Sequence, residues 1–215
     1  MNNIQIDIVS DIACPWCAIG YARLERAMEQ LAPEFEFAVQ WHAFELNPDH
    51  SGEGEPILPA LARKYGRSED EMRATQNQMM TIAKDLGLNF EKMQERFTCN
   101  TFDAHRLVKW AGEQGRQTAM KQALFDAYFG RAENVSDRDV LLSCAENAGL
   151  GSAKAAEVLD SDQYAKTVRE DEATYQQAGV SAVPAFIINR KYLISGAQEP
   201  DALVQAFREI AAESD

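Results

Sequence analysis

The stretch Asp11-Ile12-Ala13-Cys14-Pro15-Trp16-Cys17 decides the fold, because it joins a strand pattern to a helix pattern and carries two cysteines three residues apart. At the first turn of a helix this spacing places both sulfur atoms on one side. The free backbone N–H groups and the positive end of the helix dipole favour a thiolate there. Pro15 suits the first helical position, since its φ is already helical and its missing N–H would have no partner. The stretch is therefore typical of a dithiol–disulfide redox centre, although a metal site is also compatible with it.

Strand and helix patterns flank this stretch. Residues 4–9 alternate apolar and polar side chains, which predicts a strand. Residues 15–31 carry an apolar stripe at helical spacing, and residues 35–44 are rich in aromatic and β-branched residues, which predicts a second strand. A strand–helix–strand unit of this length implies a parallel pair of strands with a right-handed crossover.

After Asn47-Pro48 the chain shows helix signals and no convincing strand until about residue 178. Ser68 and Glu71 form a capping box at the start of one helix. Further helical patterns are predicted at 102–113, 117–129, from Ser136 to about 149, 153–159 and 164–177. This part of the chain therefore forms an all-helical insertion of more than 100 residues.

Strand signals return near the C-terminus. Residues 183–188 and 192–195 are apolar runs separated by the turn-like Asn189-Arg190-Lys191, which predicts a β-hairpin. Pro200 then opens a final helix. The two ends of the chain together give the order β-α-β … α-β-β-α.

Composition limits the function classes. The chain has 215 residues and a formal net charge of −13, which argues against nucleic acid and anionic membranes as partners. It has no run of about 18 apolar residues that would predict a membrane span, and its first residues do not resemble a secretory signal. Four cysteines are too few for a disulfide scaffold. We expect a cytoplasmic protein, in which a Cys-x-x-Cys pair is more often catalytic or metal-binding than structural.

The order of elements and Cys14-Pro15-Trp16-Cys17 resemble the thioredoxin superfamily, and the large helical insertion is similar to that of its DsbA-like branch. Several further strings resemble the FrnE-type subgroup, which is related to 2-hydroxychromene-2-carboxylate isomerases and kappa-class glutathione transferases. They are Ser10-Asp11, Phe44-Glu45-Leu46-Asn47-Pro48, Asn100-Thr101, Ala104-His105-Arg106-Leu107, Gly179-Val180, Val183-Pro184 and Ser195-Gly196-Ala197-Gln198. The resemblance covers essentially the whole chain. It implies an α/β thioredoxin fold with a discontinuous thioredoxin-like domain (1–47 and 163–215) and a helical insertion domain (48–162).

The roles of the site residues follow from this combination. Cys14, at the helix end, is predicted to attack, and Cys17, one turn inward, to resolve the mixed disulfide. The resemblance implies that the Val183–Pro184 bond is cis and lies against the cysteine pair, while the alternative is that Pro184 only begins a strand. We expect the substrate to contact Pro15, Trp16, Val183 and His105. Because Trp16 carries no charge, we also expect a less oxidising centre than one with histidine at that position.

The predicted function is a thiol–disulfide oxidoreductase of the DsbA-like type, which oxidises, reduces or isomerises disulfides in a protein or small thiol substrate. It would bind no cofactor tightly, would use glutathione as a co-substrate, and could form a homodimer. Two alternatives stay open. One is a glutathione-dependent isomerase or transferase of the 2-hydroxychromene-2-carboxylate isomerase type, and the other is a non-enzymatic chaperone that binds in the cleft between the domains.

Other ionisable and thiol groups are open to two interpretations. The strand position six residues before Cys14 is Ile8, so a proton-relay carboxylate would have to be Asp7, which could equally be a solvated strand residue. His42 reads as a hydrogen-bonded core histidine, or as a group near the active face. Cys144 is predicted to be a buried inert thiol, and Cys99 to be either buried or a second redox thiol. Zinc binding at the cysteine pair would require two more ligands, so we predict no metal site.

Overall fold

The computed structural model describes residues 2–213 and contains one mixed β-sheet. Its strands are β1 (Asn2–Ser10), β2 (Phe35–Ala43), β3 (Ala185–Ile188) and β4 (Tyr192–Ser195), in the order β2-β1-β3-β4. β1 pairs parallel with β2 and antiparallel with β3, and β3 pairs antiparallel with β4. The predicted crossover unit and hairpin are thus confirmed. The outer limits of the predicted domain, residues 1 and 215, lie outside the described residues.

Helix α1 (Pro15–Leu31) and the last helix of the chain pack on one face of the sheet. Helix α1 connects β1 to β2 and buries Ile19, Leu24 and Leu31 completely. The last helix, Pro200–Ala212, begins at the predicted proline, buries Leu203 and Phe207, and packs against α1. Both helices place their apolar stripes on the shared core, as the 3.6-residue period requires.

The remaining helices lie between β2 and β3. They are α2 (Ile57–Tyr65), α3 (Glu69–Asp85), α4 (Phe102–Glu113), α5 (Gln117–Phe125), α6 (Arg138–Asn147), α7 (Ser152–Leu159) and α8 (Ala165–Gln177), so the final helix is α9. The capping box at Ser68 is present.

Three boundaries differ from the sequence analysis. Helix α2 was not predicted as a separate element. The helix predicted over 117–129 changes after Phe125 into a π-helical turn, Asp126–Gly130. The cap of α6 is Asp137, whose carboxylate accepts from the Asp139 and Val140 amides, and not Ser136. A carboxylate at this position also complements the helix dipole.

Helix α5 packs directly against the sheet beside the cysteine pair. The Trp41 backbone N–H of β2 donates to Gln117 at 2.9 Å, and its indole N–H donates to Thr118 at 3.0 Å. One continuous cluster of buried apolar side chains runs from the sheet into the helices of the insertion. None of the helices in residues 2–213 is long and apolar enough to cross a membrane.

Candidate active site

Cys14 is the N-cap residue of α1, and Pro15 follows it at the first helical position. Its side chain is 5 % exposed, and its thiol donates to the Val183 carbonyl oxygen at 3.6 Å. The Val183–Pro184 peptide bond is cis, as the resemblance implied. The strand–turn–helix stretch and the start of β3 are therefore brought together around one sulfur atom.

Cys17 lies one turn further along α1 and is fully buried. Burial, followed by the hydrogen bond and charge of the neighbouring Cys14 sulfur, raises the pKa of the Cys17 thiol well above its usual value. The Lys121 ammonium group acts in the opposite direction. At neutral pH Cys17 is therefore held as a thiol behind Cys14.

Lys121 of α5 is a completely buried amine beneath the cysteine pair. Its Nζ donates to the Ser10 carbonyl oxygen at 3.4 Å and lies 5.4 Å from the centre of the Trp41 ring. Burial lowers the pKa of Lys121 to about 8, while the charges of Cys17, Asp11 and Cys14 raise it. The site thus contains a buried basic group that can exchange a proton near neutral pH.

Asp11 and His105 support the turn that carries Cys14. The Asp11 carboxylate accepts from the Leu46 amide at 2.8 Å and lies 3.2 Å from His105 Nε2. Burial by itself would raise the pKa of the Asp11 carboxyl group. The interactions with His105, the Leu46 amide and Lys121 together outweigh burial, so the pKa of Asp11 is lowered. His105 is only 1 % exposed and also contacts the Phe44 carbonyl oxygen. The structure therefore places His105 behind the turn and not on the cleft surface, where the sequence analysis expected it.

A cleft of about 1160 Å³ opens beside Cys14 between the sheet end and the helical insertion. Its walls come from the loop after β2, from α2 and α3, and from the segment before β3. Three of the expected substrate-contacting residues line it, namely Pro15, Trp16 and Val183. Trp16 is 37 % exposed, which leaves a large apolar surface next to the nucleophile position.

Residues 5–208 match the family model for the DSBA-like thioredoxin domain. The chain belongs to this DsbA-like family. A probable DsbA oxidoreductase from Streptomyces coelicolor has a solved structure that is 34 % identical with a TM-score of 0.91, covering 98 % of this chain and 91 % of that one. Membership of this family, together with the cysteine pair, supports a thiol–disulfide oxidoreductase as the class of activity.

Two more distant structures share the fold. A 2-hydroxychromene-2-carboxylate isomerase matches with a TM-score of 0.71 at 13 % identity, covering 98 % of this chain and 97 % of that chain. The cytosolic disulfide reductase DsbM from Pseudomonas aeruginosa, solved with glutathione, matches with a TM-score of 0.66 at 18 % identity, covering 97 % and 99 %. Both structures therefore share the fold of this chain over nearly its whole length.

A second polar cluster lies on the face of the sheet that points away from the cysteine pair. His42 lies between Asp7 and Asp171, with ring nitrogen to carboxylate distances of 3.1 and 2.8 Å. His42 is therefore a hydrogen-bonded core histidine, as predicted. Asp7 is 3 % exposed, so it is not a solvated strand residue. Successive side chains of a strand point to opposite faces, and Ile8 packs in the core cluster that contains both cysteines, so Asp7 points away from them.

The other two thiols are buried. Burial raises the pKa of Cys99 and of Cys144 to about 12 in each case. The predicted burial of Cys144 in the core is confirmed, and Cys99 lacks the exposure and low pKa that a second redox thiol needs. Among residues 2–213, no group of three or more His, Cys, Asp or Glu side chains is arranged to hold a metal.

The sequence analysis missed Lys121, Arg96 and Gln76. Each is buried beside the cysteines or in the cleft wall. Lysine, arginine and glutamine side chains are normally assigned to the solvent-exposed surface, both in helices and in connecting segments. The nearest signal is in α5, where Lys121 follows the buried Met120 and falls on the apolar stripe of the helix.

Proposed function

We propose that this DsbA-like protein is a thiol–disulfide oxidoreductase in which Cys14 attacks and Cys17 resolves. The observation that carries the proposal is the unequal placement of the two thiols. Cys14 lines the cleft and contacts the carbonyl of Val183, whereas Cys17 is fully buried behind it. A substrate sulfur can reach Cys14 directly, and only a bond at Cys14 brings a substrate within reach of Cys17.

The reaction with a substrate disulfide then proceeds in two exchanges. The Cys14 thiolate attacks one substrate sulfur, a Cys14–substrate disulfide forms, and the other half of the substrate leaves as a thiolate that takes up a proton. The Cys17 sulfur, after losing its proton, attacks Cys14 and releases the second half as a thiol. The protein gains one disulfide and loses two electrons, and the substrate disulfide is reduced to two thiols. The reverse sequence oxidises a substrate dithiol.

Lys121 is the proposed proton acceptor for Cys17. The high pKa of the buried Cys17 thiol opposes its deprotonation. The pKa of Lys121, about 8, leaves a fraction of neutral amine near neutral pH that can accept this proton. The ammonium group formed in this way stabilises the thiolate that attacks.

The two predicted domains have separate roles in this proposal. The thioredoxin-like domain, 1–47 and 163–215, supplies the cysteine pair and the Val183 backbone that contacts the substrate. The helical domain, 48–162, supplies the opposite wall of the cleft, and Pro15 and Trp16 contact the substrate between them. We also propose that the protein acts in the cytoplasm and uses glutathione as a co-substrate. DsbM, a structural neighbour described as cytosolic and solved with glutathione, supports this.

The test is to trap the intermediate with bis(2-hydroxyethyl) disulfide. Reduced Cys17→Ala protein should retain half of the reagent on Cys14, because nothing resolves the mixed disulfide. Wild-type protein should end as the Cys14–Cys17 disulfide, and Cys14→Ser should retain nothing. Cys144→Ala is the matched control, since it removes a buried thiol elsewhere and should behave like the wild type. Intact mass and peptide mapping distinguish these products.

Two results would overturn the proposal. The first is an adduct on Cys17 in the Cys14→Ser protein. The second is a wild-type protein that keeps both thiols reduced. Turnover of a glutathione-dependent isomerisation that requires Cys14 but is unaffected by Cys17→Ala would instead favour the isomerase class.

A further inference from the structure

The cleft wall contains a buried cation without an acidic partner. Arg96 is 2 % exposed, lines the same cleft as Cys14, and forms no ion pair with any Asp or Glu in residues 2–213. Its Nη1 donates to the Met93 carbonyl oxygen and lies 3.5 Å from the Gln76 side-chain oxygen. Its Nε–H has no hydrogen-bond partner. Burying a charge and a donor in this way is costly unless something pairs with them.

Gln76 is a second buried residue with an unpartnered hydrogen-bond donor. Its side chain is 2 % exposed on α3 and lines the cleft, and its amide nitrogen also has no partner. The contact between Arg96 Nη1 and the Gln76 side-chain oxygen makes these two residues neighbours in the cleft wall, and each carries one unpartnered N–H donor. A planar acceptor with two oxygen atoms, such as a carboxylate, matches an arginine edge and a neighbouring amide N–H.

Aromatic rings fix the guanidinium group in place. Its carbon lies 5.2 Å from the centre of the Tyr128 ring and 5.1 Å from that of Phe129. These contacts hold a cation but supply no carboxylate to pair with it.

The rim of the cleft has the same sign of charge. Arg63, Lys64 and Arg67 are exposed there, against Asp49 and Glu55, and Glu55 already pairs with Arg63. The cleft is therefore locally cationic on a chain whose formal net charge is −13. The field of the whole protein repels anions, so a cationic cleft next to Cys14 is a local feature.

We propose that Arg96 and Gln76 form a carboxylate-binding subsite of the active-site cleft, so that the thiol or disulfide compounds handled by Cys14 are small molecules carrying a carboxylate. The subsite lies below the cleft surface, which requires a ligand small enough to enter. This inference rests on the proposed thiol–disulfide function, and its test separates the two.

The test compares three small disulfides that differ in charge. They are the disulfides of 3-mercaptopropionate (anionic), 2-mercaptoethanol (neutral) and 2-aminoethanethiol (cationic). The second-order rate constant for oxidation of the reduced protein is measured for each by stopped-flow fluorescence. Wild-type protein should favour the anionic reagent over the cationic one, although its net charge alone would produce the opposite order. In Arg96→Gln the ratio of anionic to neutral rate constants should fall about tenfold or more, which corresponds to about 1.4 kcal/mol.

Two further variants make the result independent of folding of Arg96→Gln. Gln76→Leu removes one donor without changing the charge and should lower the same ratio by a smaller factor. Arg73→Gln is the matched control, because this exposed arginine of α3 contacts Gln94 outside the cleft and its loss changes the net charge equally. It should leave the ratio unchanged.

The outcomes separate the two proposals. Equal ratios in wild type, Arg96→Gln and Gln76→Leu would overturn the carboxylate subsite while leaving the redox function intact. An equal fall in Arg73→Gln would attribute the selectivity to net charge and would also overturn it. Failure of all three reagents to oxidise the wild-type protein would refute the proposed function itself.

Discussion

Replacing Lys121 by methionine should stabilise the reduced protein, and the gain should disappear at high pH. The amine is fully buried, with one backbone acceptor and two aromatic rings around it. Methionine has a similar length and no charge, so it removes the desolvation penalty while filling most of the same space.

The magnitude follows from the pKa of the amine. Burial lowers the pKa of Lys121 from 10.5 to about 8. Because one pKa unit corresponds to about 1.4 kcal/mol, keeping the buried amine protonated costs the folded state about 3 kcal/mol below pH 8. Between about pH 8 and pH 10.5 the unfolded chain holds a proton at Lys121 that the folded chain has lost, so the free energy of unfolding of the wild type rises with pH in this window.

The assay is urea unfolding of both proteins in the presence of a reductant. The stability advantage of Lys121→Met over the wild type should shrink by about 2 to 3 kcal/mol between about pH 7 and about pH 10. Lys166→Met is the matched control, because the Lys166 side chain is 88 % exposed and its removal should produce no such change. The same variant should shift the pH profile of oxidation to higher pH, since Lys121 lowers the pKa of Cys17.

A stability difference that stays constant from about pH 7 to about pH 10 would refute this reasoning, because it would mean that the amine is not desolvated in the folded state. A loss of stability that is equal at every pH would mean that packing alone decides the effect.

Three further predictions concern other parts of the molecule. Burial raises the pKa of Glu45 to about 7, with the Glu172 carboxylate adding to the shift, so the wild type should lose stability as the pH rises from 4.5 to 7. In urea unfolding, the free energy of unfolding of Glu45→Gln should fall between pH 4.5 and pH 7 by at least about 1 kcal/mol less than that of the wild type. Gly54→Ala should lower the free energy of unfolding by about 1 to 3 kcal/mol in thermal or urea unfolding, because the added Cβ would lie 2.1 Å from the Thr98 carbonyl oxygen. Gly151→Ala is the control and should be neutral, because a Cβ there would have open space around it. In native protein at pH 8, iodoacetamide should modify Cys14 and spare Cys99 and Cys144, because the pKa values of these two buried thiols are about 12. Mass spectrometry identifies the modified residues, and rapid modification of Cys99 or Cys144 would contradict their burial.

The fold was predictable because its signals are local. Pro15 after Cys14, the alternation in β1 and the apolar run before Asn189 each fix an element by periodicity or by backbone geometry. The capping box at Ser68 fixed the start of α3 in the same way. The helix cap at Asp137 was missed because Ser136 next to it is an equally good capping residue by type.

The buried polar groups were not predictable in this way. Lys121 lies in α5 and Arg96 in the irregular segment between α3 and α4, and long cationic side chains in both kinds of segment are normally assigned to solvent. Their burial depends on α5 packing against Trp41 and on the aromatic rings around Arg96, which are contacts between segments far apart in sequence. His105 was expected in the cleft for a related reason, since its helix position does not reveal that Asp11 holds it behind the turn.

The central claim is that Cys14 and Cys17 form a reversible redox pair, and a redox titration tests it most directly. The protein is equilibrated with glutathione buffers of graded ratio, quenched with acid and alkylated, and the peptide carrying both cysteines is quantified by mass spectrometry. We predict a two-electron transition between the dithiol and the Cys14–Cys17 disulfide. Its midpoint potential should lie below about −150 mV, because Trp16 adds no charge between the cysteines. For comparison, the reduction potential of thioredoxin is near −270 mV and that of DsbA is near −120 mV. A peptide that remains reduced at every ratio, or that stops at a glutathione adduct on Cys14, would contradict the account.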